Sequence, residues 1–262
     1  MSSSTNRKKT KTMQQIEKSL FGKNLSFAAK EAYKLLRTNL LFSLPEGEEG
    51  RGRIVGVTSS VRGEGKSTTT INLASTLAEQ GEQVLVIEGD MRLPSLHKKM
   101  NVVPKPGLSN ILVTRVDPEP FIQTVEVDRI NDVPITFDVL VAGDIPPNPS
   151  ELIGSNRMKK RLEQLATQYQ FILLDLPPVT AVTDALVATK LVDGVIMVVR
   201  NDYVDNGSLR EAVRQLQLVD GRILGFVFSC ANTSQGGYRK KYKYRYYNYN
   251  RYYYKESTPN NQ

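Results

Sequence analysis

The chain has 262 residues, of which 24% are charged and 40% hydrophobic, and a formal net charge of +8. This length suits one large α/β domain, while a lone Cys230 and a lone His97 exclude an internal disulfide and a zinc cluster of His and Cys. No apolar run approaches the ~18–20 residues of a membrane-spanning helix, and the polar start does not resemble a secretory signal. We therefore expect a protein of the reducing cytoplasm, with Cys230 as an ordinary buried residue.

Positive charge is concentrated at the two ends of the chain. Residues 1–23 carry a net charge of +5 and residues 238–262 a net charge of +6, which leaves −3 on the rest. Basic segments of this kind favour acidic partners. We predict a basic flexible arm over residues 1–24, a folded domain over 25–237 and a disordered tail over 238–262.

The first predicted helix runs from residue 27 to residue 42, after Ser26 as its N-cap. We expect its apolar side to be buried, with Leu35, Leu36, Leu40 and Phe42. Glu31, Lys34 and Arg37 follow one another at a spacing of three residues and so climb across one face. From the residues alone, this is a solvated face with a weak ion pair.

A glycine-rich loop lies between a predicted strand over residues 54–57 and a predicted helix over residues 68–79. The loop comprises Ser60, Val61, Arg62, Gly63, Glu64, Gly65, Lys66, Ser67 and Thr68. This context is typical of a phosphate-binding P-loop, in which backbone N–H groups and the helix dipole face phosphate oxygens. Lys66 would reach the β- and γ-phosphates, and the Ser67 hydroxyl would ligate Mg²⁺. The alternative is a Gly-Lys-Ser sequence that occurs by chance in a surface turn.

Three carboxylates follow predicted strands. Glu88 and Asp90 end a strand over residues 83–87, and Asp175 ends an apolar strand over residues 171–174 in a Walker B pattern. Ligands bind at the carboxyl ends of strands in open α/β sheets. These positions favour a Mg²⁺ site beside the loop, against a helix-capping role for Asp90 or a lysine partner for Asp175.

The remaining pattern alternates strands with helices. Further strands are predicted over residues 137–141, 193–199 and 222–228, and further helices begin near Ser150 and cover residues 208–219. Regular alternation of this kind implies right-handed crossovers. We predict an α/β fold of the P-loop NTPase type, with a mostly parallel sheet flanked by helices on both faces.

The tail differs in composition from the rest of the chain. It holds nine of the twelve tyrosines: Tyr238, Tyr242, Tyr244, Tyr246, Tyr247, Tyr249, Tyr252, Tyr253 and Tyr254. Lys and Arg are interleaved with them, and Leu, Ile and Val are absent. Such a segment could stack on single-stranded nucleic acid, lie on an anionic membrane or supply phosphate acceptors.

Together these motifs resemble the bacterial tyrosine kinases, or BY-kinases, in the cytoplasmic Gram-positive form of capsule or exopolysaccharide synthesis. The resemblance covers about residues 25–255. It rests on the Gly-Glu-Gly-Lys-Ser loop, the carboxylate pair before Met-Arg-x-Pro, the Pro-Pro-Asn-Pro-Ser-Glu-Leu segment at 146–152, the Asp-x-Pro-Pro segment and the tyrosine cluster.

The chain departs from related patterns at five positions. Ser60 replaces the first P-loop glycine, and Val61 stands where partitioning ATPases carry a signature lysine. Glu88 replaces the first aspartate of the family's Walker A′ motif, and Lys34 replaces the middle arginine of its oligomerisation helix. Ser229 stands where the family often places an asparagine near the base, a role that Asn232 would take over.

The resemblance implies an ATP- and Mg²⁺-dependent protein-tyrosine kinase. Its catalytic residues would be Lys66, Asp90, Glu88 and Asp175, and its metal ligands Ser67, Glu88, Asp90 and Asp175. It implies phosphorylation of the tail by a neighbouring subunit, in a homo-oligomeric ring held by Glu31, Lys34 and Arg37. Expected partners are a transmembrane activator of the polysaccharide co-polymerase type at the inner face of the cell membrane, a phosphotyrosine phosphatase and the anionic membrane surface, but not nucleic acid.

Two other classes compete with this interpretation. A P-loop switch ATPase of the partitioning type would bind partners rather than phosphorylate them, but Val61 and the tyrosine tail argue against it. A nucleic-acid-binding ATPase would use the basic tail directly.

Overall fold

A computed structural model describes residues 21–46, 48–114 and 116–230. The contacts divide the chain after Ser229, and the described structure belongs to the first unit except for Cys230. The basic arm up to residue 20, Asn232 and the tyrosine tail lie outside the described residues.

The described elements alternate between helices and strands for most of the chain. The α-helices are α1 Phe27–Ser43, α2 Lys66–Ala78, α3 Leu96–Met100, α4 Leu108–Thr114, α5 Pro149–Ile153, α6 Asn156–Leu165, α7 Asp184–Ala188 and α8 Asn206–Leu218. The strands are β1 Arg53–Ser59, β2 Val84–Glu88, β3 Gln123–Ile130, β4 Val133–Leu140, β5 Phe171–Asp175, β6 Gly194–Arg200 and β7 Ile223–Ser229. Short 3₁₀ turns cover Gly22–Asn24, Glu119–Phe121 and Thr189–Leu191.

The strands form one sheet in the order β3-β4-β2-β5-β1-β6-β7. Every neighbouring pair is parallel except β3 and β4, which are antiparallel. In the register of β2 and β5, Glu88 pairs with Asp175. The parallel strands therefore bring their carboxyl ends, and the predicted carboxylates, to one edge of the sheet.

Both faces of the sheet are covered by helices. Adjacent strand residues alternate between two hydrophobic clusters, with Ile54 in one and Val55 in the other. Residues of α4 to α8 pack in the first cluster, and residues of α1, α2 and α3 pack in the second. The predicted α/β fold, with a mostly parallel sheet between two helical layers, is confirmed. Across the described segments, no helix combines the length and apolarity needed to cross a bilayer.

Several local predictions need correction. In α1, Leu40 is buried as expected, but Leu35 is 53% and Phe42 87% exposed, so only a narrow stripe of this helix faces the core. Cys230 is exposed, not buried. The P-loop helix begins at Lys66, because Gly65 has a left-handed conformation and serves as the N-cap. Strand β3 and its hairpin with β4 were not predicted.

Candidate active site

The P-loop connects β1 to α2 at the carboxyl edge of the sheet. Gly63 has φ 87° and Gly65 has φ 94°, values in the left-handed region that favour glycine. Lys66 is the first residue of α2, and Ser67 is buried in its first turn. The positive end of the α2 dipole therefore lies where the loop folds back, as a phosphate site requires.

The loop is fixed by bonds to three neighbouring segments. The Glu64 side chain is fully buried, and its Oε2 accepts a 2.8 Å hydrogen bond from the Val61 N–H. Its Oε1 accepts a 3.2 Å bond from the Arg200 N–H at the end of β6. The Ser229 hydroxyl donates to the Glu64 carbonyl at 2.6 Å, and the Thr180 hydroxyl donates to the Ser60 carbonyl at 2.7 Å. Glu64 is thus a buried structural residue, and the hydrogen bonds that its side chain accepts fix the conformation of the loop.

Lys66 and Asp90 face each other across the site. The Lys66 Nζ lies 3.5 Å from the Asp90 Oδ2, and the two side chains are 11% and 12% exposed. The Asp90 Oδ1 accepts a 3.1 Å bond from the Leu93 N–H. One oxygen of Asp90 therefore orders its own loop, and the other faces the P-loop lysine.

Asp175 is a buried carboxylate with an incomplete set of partners. It hydrogen-bonds Ser67, while its Oδ1 has no hydrogen-bond partner. Burial raises the pKa of Asp175 to about 6, against the opposing effects of the Lys66 charge and the Ser67 bond. A buried, unpaired carboxylate oxygen is costly unless a cation or donor meets it, so this oxygen is suited to a bound cation.

Glu88 is held differently from the other two carboxylates. Its Oε1 accepts hydrogen bonds from the N–H groups of Ser95 and Leu96, the second at 2.7 Å, and its Oε2 accepts a 3.1 Å bond from the Ala142 N–H. Burial raises the pKa of Glu88, and the three N–H donors oppose that shift. Both oxygens of this carboxylate are thus engaged by the backbone.

The site fits Mg²⁺ bound together with a nucleotide. Within the described residues, no group of three or more His, Cys, Asp or Glu side chains is arranged to hold a metal on its own. Mg²⁺ usually takes only one or two carboxylates and completes its shell with water and phosphate oxygens. The orphan Asp175 Oδ1 and the adjacent Ser67 hydroxyl match that requirement.

An ion pair between Arg92 and Asp184, which was not predicted from the sequence, joins two of the motifs. Asp184 is fully buried at the start of α7, and the Arg92 guanidinium donates to its two oxygens at 2.9 and 3.0 Å. Ser150 of α5 bonds the same carboxylate and accepts from Arg92 at 3.2 Å. Asp184 therefore links the Met-Arg-x-Pro and Pro-Ser-Glu-Leu segments beside the site.

Arg200, the last residue of β6, and Tyr203, which follows it, border the P-loop and were not predicted from the sequence either. The Arg200 guanidinium lies 4.7 Å from the centre of the Tyr203 ring and donates to the Gly63 carbonyl at 3.2 Å. A Cβ on Gly63 would come within 3.0 Å of the Tyr203 hydroxyl. The close approach adds a second reason for glycine at this position.

The predicted residues of the subunit interface lie on α1. Glu31 and Lys34 pair with each other at 3.0 Å, and Arg37 donates to the Thr76 carbonyl of α2. Asn232 and the nine tail tyrosines lie outside the described residues. The structure thus brings together Lys66, Ser67, Asp90 and Asp175, with Glu88 behind them.

Comparison with known proteins supports one family. The AAA domain family matches residues 52–223. Tyrosine-protein kinase YwqD of Bacillus subtilis (strain 168) is 31% identical over 217 residues, which cover 83% of this chain and 85% of the relative. Tyrosine-protein kinase CpsD of Streptococcus agalactiae serotype III is 30% identical over 212 residues, 80% of this chain and 85% of the relative.

A solved structure agrees with these relatives. The kinase domain of Escherichia coli tyrosine kinase ETK is 29% identical, covers 80% of each chain and superposes with a TM-score of 0.67. With the P-loop, the carboxylates at the strand ends and the curated relatives in accord, the chain belongs to the bacterial tyrosine kinases (BY-kinases) and is a protein-tyrosine kinase.

Proposed function

We propose that the protein transfers the γ-phosphoryl group of ATP to the tyrosines of its own tail, in trans between subunits. Together with a transmembrane adaptor, it would thereby regulate capsular or exopolysaccharide synthesis and export. The observation that carries the proposal is the meeting of Lys66 with Asp90 and the unpartnered Asp175 Oδ1 beside the P-loop. A chain with nine tyrosines in its last 25 residues supplies the acceptors.

In this proposal the chain's own residues bind and orient the reactants. The backbone N–H groups of residues 60–68 cradle the phosphates, and Lys66 stabilises the negative charge of the β- and γ-phosphates. Ser67, Asp90 and Asp175 are the proposed ligands of Mg²⁺, which when bound would neutralise phosphate charge. Glu88, expected from the resemblance as a further ligand, has both oxygens engaged by backbone N–H groups and is not proposed as one. Asn232 is the proposed contact to the adenine.

The incoming tyrosine must lose a proton, since its free pKa is near ~10. Asp90 is our first choice for the base, because its Oδ2 faces the site and is shared only with Lys66 among the contacts described. Glu88 is the second choice. A carboxylate beside the hydroxyl can accept the proton during transfer.

The assembly and its partners follow from the resemblance to BY-kinases. We propose a homo-oligomeric ring held by the α1 residues Glu31, Lys34 and Arg37, with each tail reaching a neighbouring site. The ring would sit at the inner face of the membrane through the cytoplasmic end of a polysaccharide co-polymerase-type adaptor. A phosphotyrosine phosphatase would reset the tail, and the basic tail itself would contact the anionic membrane surface.

The test is phosphotyrosine formation by the purified chain with ATP, Mg²⁺ and the adaptor's cytoplasmic peptide. We expect tail labelling in the wild type and its loss in Lys66→Met, which should stay folded because Lys66 faces the ligand site. Lys159→Met is the matched control, since Lys159 is 62% exposed in a pair on α6 and should label normally.

Two outcomes would contradict the proposal. Normal labelling of Lys66→Met would mean that the P-loop assignment is wrong. ATP turnover without phosphotyrosine would instead favour a switch ATPase of the partitioning type.

A mixing experiment tests whether phosphorylation occurs in trans. The Lys66→Met protein, mixed with an active chain that lacks residues 238–262, should become labelled on its tail.

A further inference from the structure

Glu88 occupies a position that suits a tether better than a reactive group. It is the last residue of β2 and is 1% exposed, less than the 8% of Asp90. Both Glu88 oxygens accept from backbone N–H groups, whereas Asp175 has an oxygen with no partner. Of the three carboxylates, Glu88 is therefore the one whose two oxygens both accept hydrogen bonds from backbone N–H groups.

The three donors to Glu88 come from two separate segments. Ser95 and Leu96 stand at the start of α3, so their bonds close residues 89–94 into an arch over Glu88. Ala142 follows β4, which pairs with β2. One carboxylate thus ties the arch to the end of the neighbouring strand, and its loss would remove this link between the two segments.

The arch carries two residues of the site. Asp90 projects its Oδ2 toward Lys66 from within it, and Arg92 reaches the buried Asp184 from its other side. The Asp90 position is otherwise fixed by the Leu93 N–H and by backbone bonds from Gly89 and Asp90 to the Asp175 carbonyl. The geometry of Asp90 therefore depends on how firmly the arch is closed.

Resting on the proposed tyrosine kinase function, we propose that Glu88 is a positioning residue that fixes the 89–94 arch and leaves proton transfer to Asp90. Both Glu88 oxygens are occupied by the N–H groups of Ser95, Leu96 and Ala142, so neither oxygen is available to an incoming tyrosine hydroxyl. Asp90 directs its Oδ2 toward Lys66, on the P-loop side of the site.

The length of the side chain is part of the proposal. Glu88 reaches donors in both segments at once, with bonds of 2.7 Å to Leu96 and 3.1 Å to Ala142. An aspartate at this position keeps the negative charge, but its side chain is one methylene shorter and cannot contact the donors of both segments at once. A glutamine keeps the reach and one carbonyl oxygen for Ser95 and Leu96, but turns an N–H₂ group toward the Ala142 N–H.

The test compares Glu88→Asp with Glu88→Gln in the full chain. We expect Glu88→Asp to phosphorylate tyrosine more slowly than Glu88→Gln, because reach matters more than charge for a tether. Asp90→Asn, which removes the base, should lose about 10²- to 10⁴-fold in rate. Higher activity in Glu88→Asp than in Glu88→Gln would overturn the proposal, since a base or metal ligand needs the carboxylate.

A second readout does not depend on catalysis. Hydrogen exchange of the Leu96 and Ala142 amides should accelerate on the order of tenfold or more in Glu88→Asp, since each loses a charge-assisted bond. Amides of β1 and β5 serve as the internal control for the fold. Unchanged exchange at Leu96 and Ala142 in both variants, combined with loss of activity, would also overturn the proposal.

The two readouts separate this inference from the proposed function. If Glu88→Asp does not fold, the Glu88→Gln variant decides: faster Ala142 exchange with retained kinase activity supports the tether, and normal exchange without activity contradicts it. If the wild type forms no phosphotyrosine, the proposed function fails, while the exchange data still show whether Glu88 closes the arch.

Discussion

At the residue scale, Asp175 is a buried carboxylate with one oxygen that has no hydrogen-bond partner, and its charged form therefore destabilises the metal-free protein. Its pKa of about 6 in the folded state lies above the ordinary 3.8, so the folded state binds this proton more tightly than the unfolded state does. The contribution of Asp175 to the free energy of unfolding should therefore fall as the pH rises from ~4 to ~6 and then level off. The same carboxylate is what suits the site to a cation.

We predict that Asp175→Asn stabilises the metal-free protein while it abolishes tyrosine phosphorylation. With EDTA present at pH 7.5, the free energy of unfolding of the variant should be about 1–3 kcal/mol higher than that of the wild type. This difference should disappear near pH ~4. Urea unfolding at the two pH values measures both effects.

Asp184→Asn is the matched control, because Asp184 is equally buried but pairs with Arg92. Its replacement should destabilise the protein at pH 7.5, opposite in sign to Asp175→Asn. Parallel pH curves for the wild type and Asp175→Asn would contradict the assignment of the cost to Asp175.

At the scale of elements, the predictable parts were those with a local signal. The strands β1, β2 and β5 could be placed because each is a short, nearly continuous apolar run, which is typical of a strand in a parallel sheet. The P-loop helix could be placed from its apolar periodicity and the glycine-rich loop before it. The β3–β4 hairpin also carried a signal that was not used: Asn131 and Asp132 have φ 50° and 64°, and Asn and Asp favour such two-residue turns.

Other features depend on contacts between distant segments. Nothing near Asp184 in the sequence indicates that Arg92 and Ser150, 92 and 34 residues away, will meet it. The three amides that hold Glu88 are likewise set by the strand order and not by the motif. Leu35 and Phe42 of α1 are exposed although they belong to the predicted apolar face of the helix. Apolar periodicity predicts which residues share a face, but not which other segment packs against them.

The α1 surface gives a prediction at the same scale. If it is the subunit interface, Glu31→Ala combined with Lys34→Ala should reduce the assembly to a monomer by light scattering with little change in melting temperature. Arg37 is left intact, because its bond to the Thr76 carbonyl supports packing of α1 on α2.

The comparable pair Lys159 and Glu163 on α6 provides the control, and its double alanine variant should assemble normally. An unchanged mass for the Glu31 and Lys34 variant would contradict the interface prediction and indicate that these residues form a solvated face. A wild type that is monomeric at every concentration would lead to the same conclusion.

At the scale of the whole molecule, the positively charged tail follows a folded core of the opposite sign, since residues 24–237 carry a net charge of −3. Residues 238–262 carry +6, and each phosphotyrosine would add about −1.5 to −2 at pH 7. Roughly three to four phosphates therefore cancel the charge of the tail, and nine would make it strongly anionic. We predict that phosphorylation acts by this accumulated charge and loosens both the ring and any contact with an anionic membrane.

The expected response is graded, because each phosphotyrosine contributes a similar share of the total charge added to the tail. Single Tyr→Phe changes should hardly alter the ATP-dependent loss of ring stability, whereas the response should vanish once fewer than about three acceptors remain. Sets of Phe variants compared by light scattering with and without ATP measure this dependence. The matched control moves the same number of Phe changes to different tyrosines, which should give the same result if only the count matters. A single change that removes the whole response would point instead to a specific docking site for one phosphotyrosine.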